Sequence, residues 1–317
     1  MDRQGPVADL RTAVAQFAVA HLGGGGPWCV ALSGGADSLA LTAVAAGLRP
    51  TTALVVDHGL QAESATVAAR ARAQALDVGC VAAQVIRVEV GRDGGPEAAA
   101  RRARYAALED HRAGAPVLLA HTLDDQAETV LLGLGRGSGP RSIAGMRAFE
   151  SPWGRPLLGV RRTSTVAACA ELGLTPWHDP HNDDRRFTRV RLRAEVLPLL
   201  EDVLGGGVAE ALARTATALR EDTDTLDAQA DHAVDVGAEL DVAAVADLPP
   251  TIRRRVLRRW LLAGGARDLT DKQIRAVDSL VTDWHGQGGV AVPSALRAQR
   301  LFAARRNGRL TMSREPV

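Results

Sequence analysis

Aromatic side chains are scarce: one Tyr, four Phe and five Trp in 317 residues. Core packing therefore falls to Ala, Val and Leu. Lysine is scarcer still, with Lys272 the single instance, so Arg carries the basic charge. A GC-rich coding bias explains that without function, although Arg grips phosphate in a bidentate way that Lys cannot. Cysteine occurs three times, at Cys29, Cys80 and Cys169, with no CxxC pair. Such spacing argues against a disulfide framework and a clustered metal site, and fits a reducing cytoplasm. The formal net charge is only +1, so there is no global basic field. A nucleic-acid role must come from local clusters. No stretch approaches the roughly 18 apolar residues of a membrane span. The amphipathic pattern over Val7–Leu22 is broken by Asp9, Arg11 and His21, which makes it a poor signal peptide. A soluble, cytoplasmic protein is expected.

What is there is globular: 46% hydrophobic and 24% charged residues, long enough for two domains. Short apolar runs at Trp28–Leu32, Ala53–Val56, Val81–Val88 and Val117–Ala120 alternate with helical patterns. The helices are expected at Asp37–Ala46, Ala62–Leu76, Pro96–His111 and Leu123–Leu134. The runs are apolar throughout, as in strands covered on both faces. Repeated strand–helix units predict an α/β fold, a doubly wound parallel sheet whose ligand lies beyond the carboxyl ends of the strands. A further helix is expected at Thr163–Leu172, and a Gly-rich loop at Gly135–Pro140. The glycine run Gly205–Gly207 marks a boundary between domains at 1–204 and 205–317. The second domain reads as mainly helical, with a basic helix at Thr251–Leu262. Short β pieces are expected near Val290–Val292, Arg300–Ala303 and Leu310–Met312.

The strongest local signal follows the first strand: Ser33, Gly34, Gly35, Ala36, Asp37 and Ser38. Small residues let backbone N–H groups approach an anion at a helix N-terminus. A plain strand–turn–helix connection needs much the same residues. The hexapeptide SGGADS, however, resembles the PP-loop of ATP pyrophosphatases, and is neither a Walker A nor a Rossmann sequence. That resemblance implies attack on the α-phosphate of ATP with pyrophosphate leaving. Asp37 is then a candidate Mg²⁺ ligand, since Mg²⁺ favours carboxylates with phosphate oxygens.

Asp57 and His58 end the second strand, at the expected nucleotide edge or simply in a polar turn. After the fourth strand, Asp124, Asp125 and Glu128 lie three and four apart, on one helical face. The macrodipole favours acids at a helix start, which explains Glu128 less well than the other two. Carboxylates so close call for a cation, an ammonium or Mg²⁺. Upstream, Glu97 has the spacing to pair with Arg101; the alternative turns Arg101 into the cleft to steady phosphate charge.

The pieces SGGADS, VDHGLQAES, EAAARRARY, LLAHTLDDQAETVLLGLGRGSG and WHDPHNDDRRFTRVRLRAEVLPLL occur in this order. Together they resemble the tRNA(Ile)-lysidine synthetases, strongly over residues 28–200 and weakly beyond. That family's chemistry implies ATP and Mg²⁺ as cofactors, with free lysine and a tRNA(Ile) bearing a CAU anticodon as partners. The wobble cytidine is adenylated through its ring oxygen; the lysine side-chain amine then displaces AMP to form lysidine. By the resemblance, Ser33, Gly34, Gly35, Ala36, Asp37 and Ser38, with Asp57 and His58, contact the nucleotide. Asp125 and Glu128 bind the lysine ammonium, one of them as base, and Arg101 sits near the reacting centre.

Asp179–Arg193 resembles the family's DPSNxDxxFxRNRIR, with His181 in place of Ser and Val190 in place of Asn. Arg189, Arg191 and Arg193 are candidate RNA contacts, as are Arg254 and Arg258 on the basic helix. A solvated charge run and an amphipathic helix are the plain alternatives. Longer members carry a further C-terminal domain, which this chain is expected to lack. A homodimer is compatible with the sequence. Three rivals stand beside this reading: a tRNA-thiolating PP-loop enzyme, an amide synthetase or amidotransferase, and a non-catalytic nucleotide-binding RNA module. The absence of CxxC pairs, the Arg-rich second domain and the intact acids count against them in turn.

Overall fold

The computed structural model describes residues 5–59, 63–91, 95–137, 139–295 and 299–316, with backbone alone at 96 and 97. Helix α1 (Pro6–His21) leads to β1 (Trp28–Ala31), α2 (Ala36–Ala46), β2 (Thr51–Asp57), α3 (Ser64–Asp77) and β3 (Ala82–Arg87). Then follow α4 (Pro96–His111), β4 (Val117–Leu118), α5 (Leu123–Gly135), α6 (Pro140–Ile143), β5 (Phe149–Glu150), β6 (Trp153–Gly154) and α7 (Arg162–Glu171). A 3₁₀ turn at Pro180–Asp183 precedes α8 (Thr188–Arg191), a π-helical turn at Leu192–Val196, and α9 (Leu197–Leu204). The expected helix start at Ala62 and the Glu97–Arg101 pair lie outside the described residues.

The first six strands form one sheet in the order β3-β2-β1-β4-β6-β5. All neighbouring pairs are parallel except β5 with β6. The apolar runs serve two cores at once, because alternate side chains point to opposite faces. Trp28, Val30, Ala53, Val55 and Leu118 join a core with α1, α2, α3 and α7. Cys29, Leu54, Val117 and Leu119 join a second core with Ala107 and Leu108 of α4. This is the doubly wound arrangement that the uninterrupted apolar runs predict. Strand order reverses between β1 and β4, so a crevice opens beyond their carboxyl ends.

The contacts divide the chain into two compact units, Met1–Leu131 with Gly145–Arg214, and Leu132–Ala144 with Thr215–Val317. The division falls within α10 (Val208–Ala233) rather than at the glycine run. Gly205 ends α9 in the left-handed conformation, and Glu201 accepts from the N–H groups of Val208 and Ala209 at the start of α10. The glycines thus break one helix and launch the next.

The second unit contains β7 (Leu240–Asp241), α11 (Val242–Ala246), α12 (Pro250–Ala263), α13 (Asp271–Thr282), β8 (Val290–Val292), β9 (Gln299–Arg306) and β10 (Arg309–Pro316). Besides helices it carries an antiparallel sheet, β7-β10-β9-β8, in which β9 and β10 outrun the short pieces expected. Asn307 and Gly308, both at positive φ, make the tight turn between them. Ile252, Val256, Leu257, Trp260 and Leu261 form the buried stripe of α12 and hold the unit's core. Among the described residues no helix is long and apolar enough to cross a membrane.

Candidate active site

In the first unit a cavity of about 740 Å³ lies where β1 and β4 end. Its floor is the Ser33–Ser38 loop. Gly34 sits at φ +87, a conformation only glycine adopts freely, and its carbonyl accepts from Trp177 N–H at 2.9 Å. Ser38 Oγ accepts from Ser33 N–H at 3.2 Å and donates to Gly35 O at 3.0 Å. Gly35 caps α2 through its backbone alone. The N–H groups of Ala36, Asp37 and Ser38 therefore have no acceptor among the described residues, as a first helical turn awaiting an anion requires.

Ser33, Gly35, Ala36, Asp37 and Ser38 line the cavity, and so do Arg101 and Asp125. Gly34 does not; its part is the turn itself. Asp57 is buried and accepts from Gly59 N–H, a turn-forming bond. His58 stands beside the cavity lining and accepts from Arg104 Nε at 3.3 Å. Burial, then the Arg104 charge, hold His58 below its ordinary pKa. Arg101 stacks 4.8 Å over the Tyr105 ring, and Arg104 joins it on the lining. Burial and the Arg101 charge lower the Arg104 pKa.

The carboxylates do not wait for an outside cation. Each already holds an arginine. Arg162, the first residue of α7, donates from Nε to Asp37 Oδ2 at 3.1 Å and from Nη2 to Asp125 Oδ1 at 2.7 Å. Its backbone N–H donates to Asp124 Oδ2 at 2.7 Å. Thr165 Oγ1 donates to Asp37 Oδ1. Arg193 Nε donates to Glu128 Oε1 at 2.8 Å, and Arg189 Nη1 lies 3.5 Å from Oε2. Arg161 spans Asp124, Glu201 and Glu210. The sequence spacing is right about the shared face of Asp125 and Glu128; the compensating charge comes from α7 and the α8–α9 segment.

These partners set the acids apart. Burial alone would raise Asp125, but Arg162 and the Thr122 N–H outweigh it and leave it below its ordinary pKa. Thr122 N–H donates to Asp125 Oδ2 at 2.8 Å, so this acid also caps α5. Glu128 is fully buried; burial raises it, and Arg193 offsets only part. Glu128 Oε2 makes no hydrogen bond. Burial also raises Asp37, against Arg162 and Thr165. At the end of β4, burial above all drops His121 to about 4.

The segment after α7 forms the opposite wall, with Trp177, His178, Asn182 and Asp183 on the lining. Arg193 lines the cavity too, turned inward by the π-helical turn, a distortion frequent at functional sites. Arg189 and Arg193, four apart, share Glu128, whereas Arg191 faces out and pairs with Glu195 at 3.1 Å. Val190 is buried.

The chain matches the model of the PP-loop domain over residues 10–200 and that of the TilS substrate binding domain over residues 240–311. It is 71% identical over 320 residues to a tRNA(Ile)-lysidine synthase of Mycolicibacterium paratuberculosis, covering 100% of both chains. It is 62% identical over 312 residues to that of Nocardia farcinica, covering 96% of this chain and 98% of the other. The chain belongs to the tRNA(Ile)-lysidine synthase family. Among solved structures it resembles the U34-tRNA thiolase NcsA of Methanococcus maripaludis in fold, with a TM-score of 0.55. That likeness covers 68% of this chain and 80% of the thiolase, at 16% identity. Like the family's enzymes it is an ATP-using, tRNA-modifying ligase.

In the second unit the basic helix is more structural than its sequence suggests. Arg253 is buried, and Arg253 and Arg254 share Asp278, at 2.6 and 2.9 Å. Arg255 pairs with Asp227 at 2.9 Å, and Arg259 with Asp231. Arg258 makes no ion pair among the described residues; burial and the Arg141 charge lower its pKa. The sequence reading passed over Arg104, Arg162, Trp177 and His178. Arg162 follows another arginine in an unremarked stretch, and only the fold brings it to Asp37.

Proposed function

We propose that this protein joins lysine to the wobble cytidine of a CAU-anticodon tRNA(Ile), with ATP converted to AMP and pyrophosphate. What carries the reading is one cavity lined by an anion-ready helix start and the half-buried carboxylates of Asp37 and Asp125, in a chain alike to the family from end to end. The cytidine ring oxygen attacks the α-phosphate and pyrophosphate departs. The lysine side-chain amine then attacks the activated ring carbon, and AMP leaves with the oxygen.

The loop N–H groups and Ser33 hold phosphate oxygens, and Arg101 and Arg104, on the cavity lining, add positive charge. Asp37 would hold a Mg²⁺ ion. Asp37 lines the cavity beside the phosphate loop, and Mg²⁺ takes one carboxylate plus phosphates and water; the ion would displace Arg162 from Oδ2. When bound, the ion would neutralise developing phosphate charge. Asp125 stays ionised and anchors the lysine ammonium. Glu128, raised by burial and with no hydrogen bond to Oε2, takes its proton, since only the neutral amine is a nucleophile. Glu128 lies behind Arg193, which lines the cavity and must swing aside for the amine to reach it. Arg191 and Arg258 have exposed or unpaired charge for the RNA backbone. For Arg189, Arg193 and Arg254, any phosphate contact competes with the carboxylate each already holds.

The test is the product. Unmodified tRNA(Ile) incubated with ATP, Mg²⁺ and lysine is digested, and its nucleosides are weighed by mass spectrometry. A cytidine heavier by lysine less one water supports the assignment. A sulfur-bearing nucleoside, or unchanged cytidine, overturns it.

A further inference from the structure

Arg162 bridges the two halves of the site. It bonds Asp37 of the phosphate loop through Nε and Asp125 of the lysine helix through Nη2. Its main chain is pinned to Asp124, so only the side chain is free to move. Its third nitrogen, Nη1, is buried without a hydrogen-bond partner, although Arg162 lines the cavity. Arg155, Arg220, Arg255 and Arg259 also leave a buried Nε without a hydrogen bond, but of these five arginines Arg162 is the one that lines the cavity. Its two bonds already serve carboxylates, so the idle donor calls for a further acceptor. Nucleotide phosphate oxygens would supply one beside Asp37.

We infer that Arg162 is a positioning residue that makes nucleotide and lysine binding cooperative. This rests on the assignment of Asp125 to the lysine ammonium. In the free protein Arg162 occupies Asp125 Oδ1, the oxygen that the ammonium needs, at 2.7 Å, while Arg193 Nη2 stands off it at 3.7 Å. Two cations compete for one acceptor, and lysine alone binds weakly. When phosphates enter the loop, the guanidinium turns toward them. Nη1 gains an acceptor, the Nη2 bond to Asp125 is given up, and Oδ1 opens to lysine. Because coupling is reciprocal, lysine tightens nucleotide binding by the same factor.

Equilibrium dialysis of labelled lysine against the full chain tests this, with and without Mg²⁺ and a non-hydrolysable α,β-methylene ATP. The native protein is expected to bind lysine about tenfold more tightly with the nucleotide, within the usual range of coupling. In Arg162→Gln the nucleotide-free protein should bind lysine more tightly than native, and the ratio should fall to near one. Should that variant fail to melt cooperatively, Arg162→Lys serves: its single ammonium cannot span both carboxylates, and the ratio should again fall. A purely structural role would weaken lysine binding in both conditions and leave the ratio intact; that result overturns the inference. No lysine bound by native protein in either condition overturns the lysine site itself, which is a different failure.

Discussion

At the residue scale, the account turns on unequal acids. Asp125 is held ionised by Arg162 and Thr122, whereas Glu128 is raised by burial. Glu128→Gln should therefore lower kcat about 10²-fold, the lower bound for a lost general base, with a smaller change in the KM for lysine. Asp125→Asn should chiefly raise that KM, while its amide oxygen can still accept from Thr122 N–H and keep the cap of α5. Steady-state kinetics with lysine varied separates the two. His121 gives a pH signature of its own. It falls from 6.5 to about 4 on folding. Between those values the unfolded chain binds a proton that the native state refuses, so stability falls as pH drops from 6.5 to 4. The loss should approach about 3 kcal/mol. Thermal melts of native and His121→Gln protein should diverge in slope across that window; parallel curves would contradict the assignment.

At the element scale, much was legible. The apolar runs lie on the sheet's strands, and α4 matches its expected bounds, Pro96–His111. Periodicity sees these because each element is buried along a regular face. SGGADS was legible for another reason: a turn that must bring N–H groups together tolerates few residues. The partners of Asp37, Asp125 and Glu128 were not legible. Arg162 is 125 positions from Asp37, and Arg193 is 65 from Glu128. No local pattern joins them. The π-helical turn at Leu192–Val196 also escapes notice, since Arg189 and Arg193 look like one charge run with Arg191 until the backbone separates them. The basic run of α12 misleads in the same way, because Asp278 on α13 claims Arg253 and Arg254. Asp278→Ala should leave a buried, unpaired guanidinium and destabilise the second unit by about 3–5 kcal/mol. Urea unfolding followed by tryptophan fluorescence, to which Trp260 in this core contributes, reads this; a loss under about 1 kcal/mol would place the pair among weak surface bridges.

At the scale of the whole molecule, the sequence matches its relatives across both units, and each unit has its own core. The first carries the chemistry: the phosphate loop, Asp37, Asp125 and the arginines line one cavity, with Glu128 buried behind Arg193. The second leaves Arg258 without an ion pair among the described residues, beside an Arg141 that Asp227 already holds. The chain as a whole carries only +1, so it has no overall basic field. RNA binding should accordingly depend on few phosphate contacts and weaken modestly with salt. The most direct measurement is release of labelled AMP from α-labelled ATP by the purified protein with Mg²⁺. The account predicts release only when both lysine and unmodified tRNA(Ile) with a CAU anticodon are present. Release without either, or only with ammonia or a sulfur donor, would contradict it.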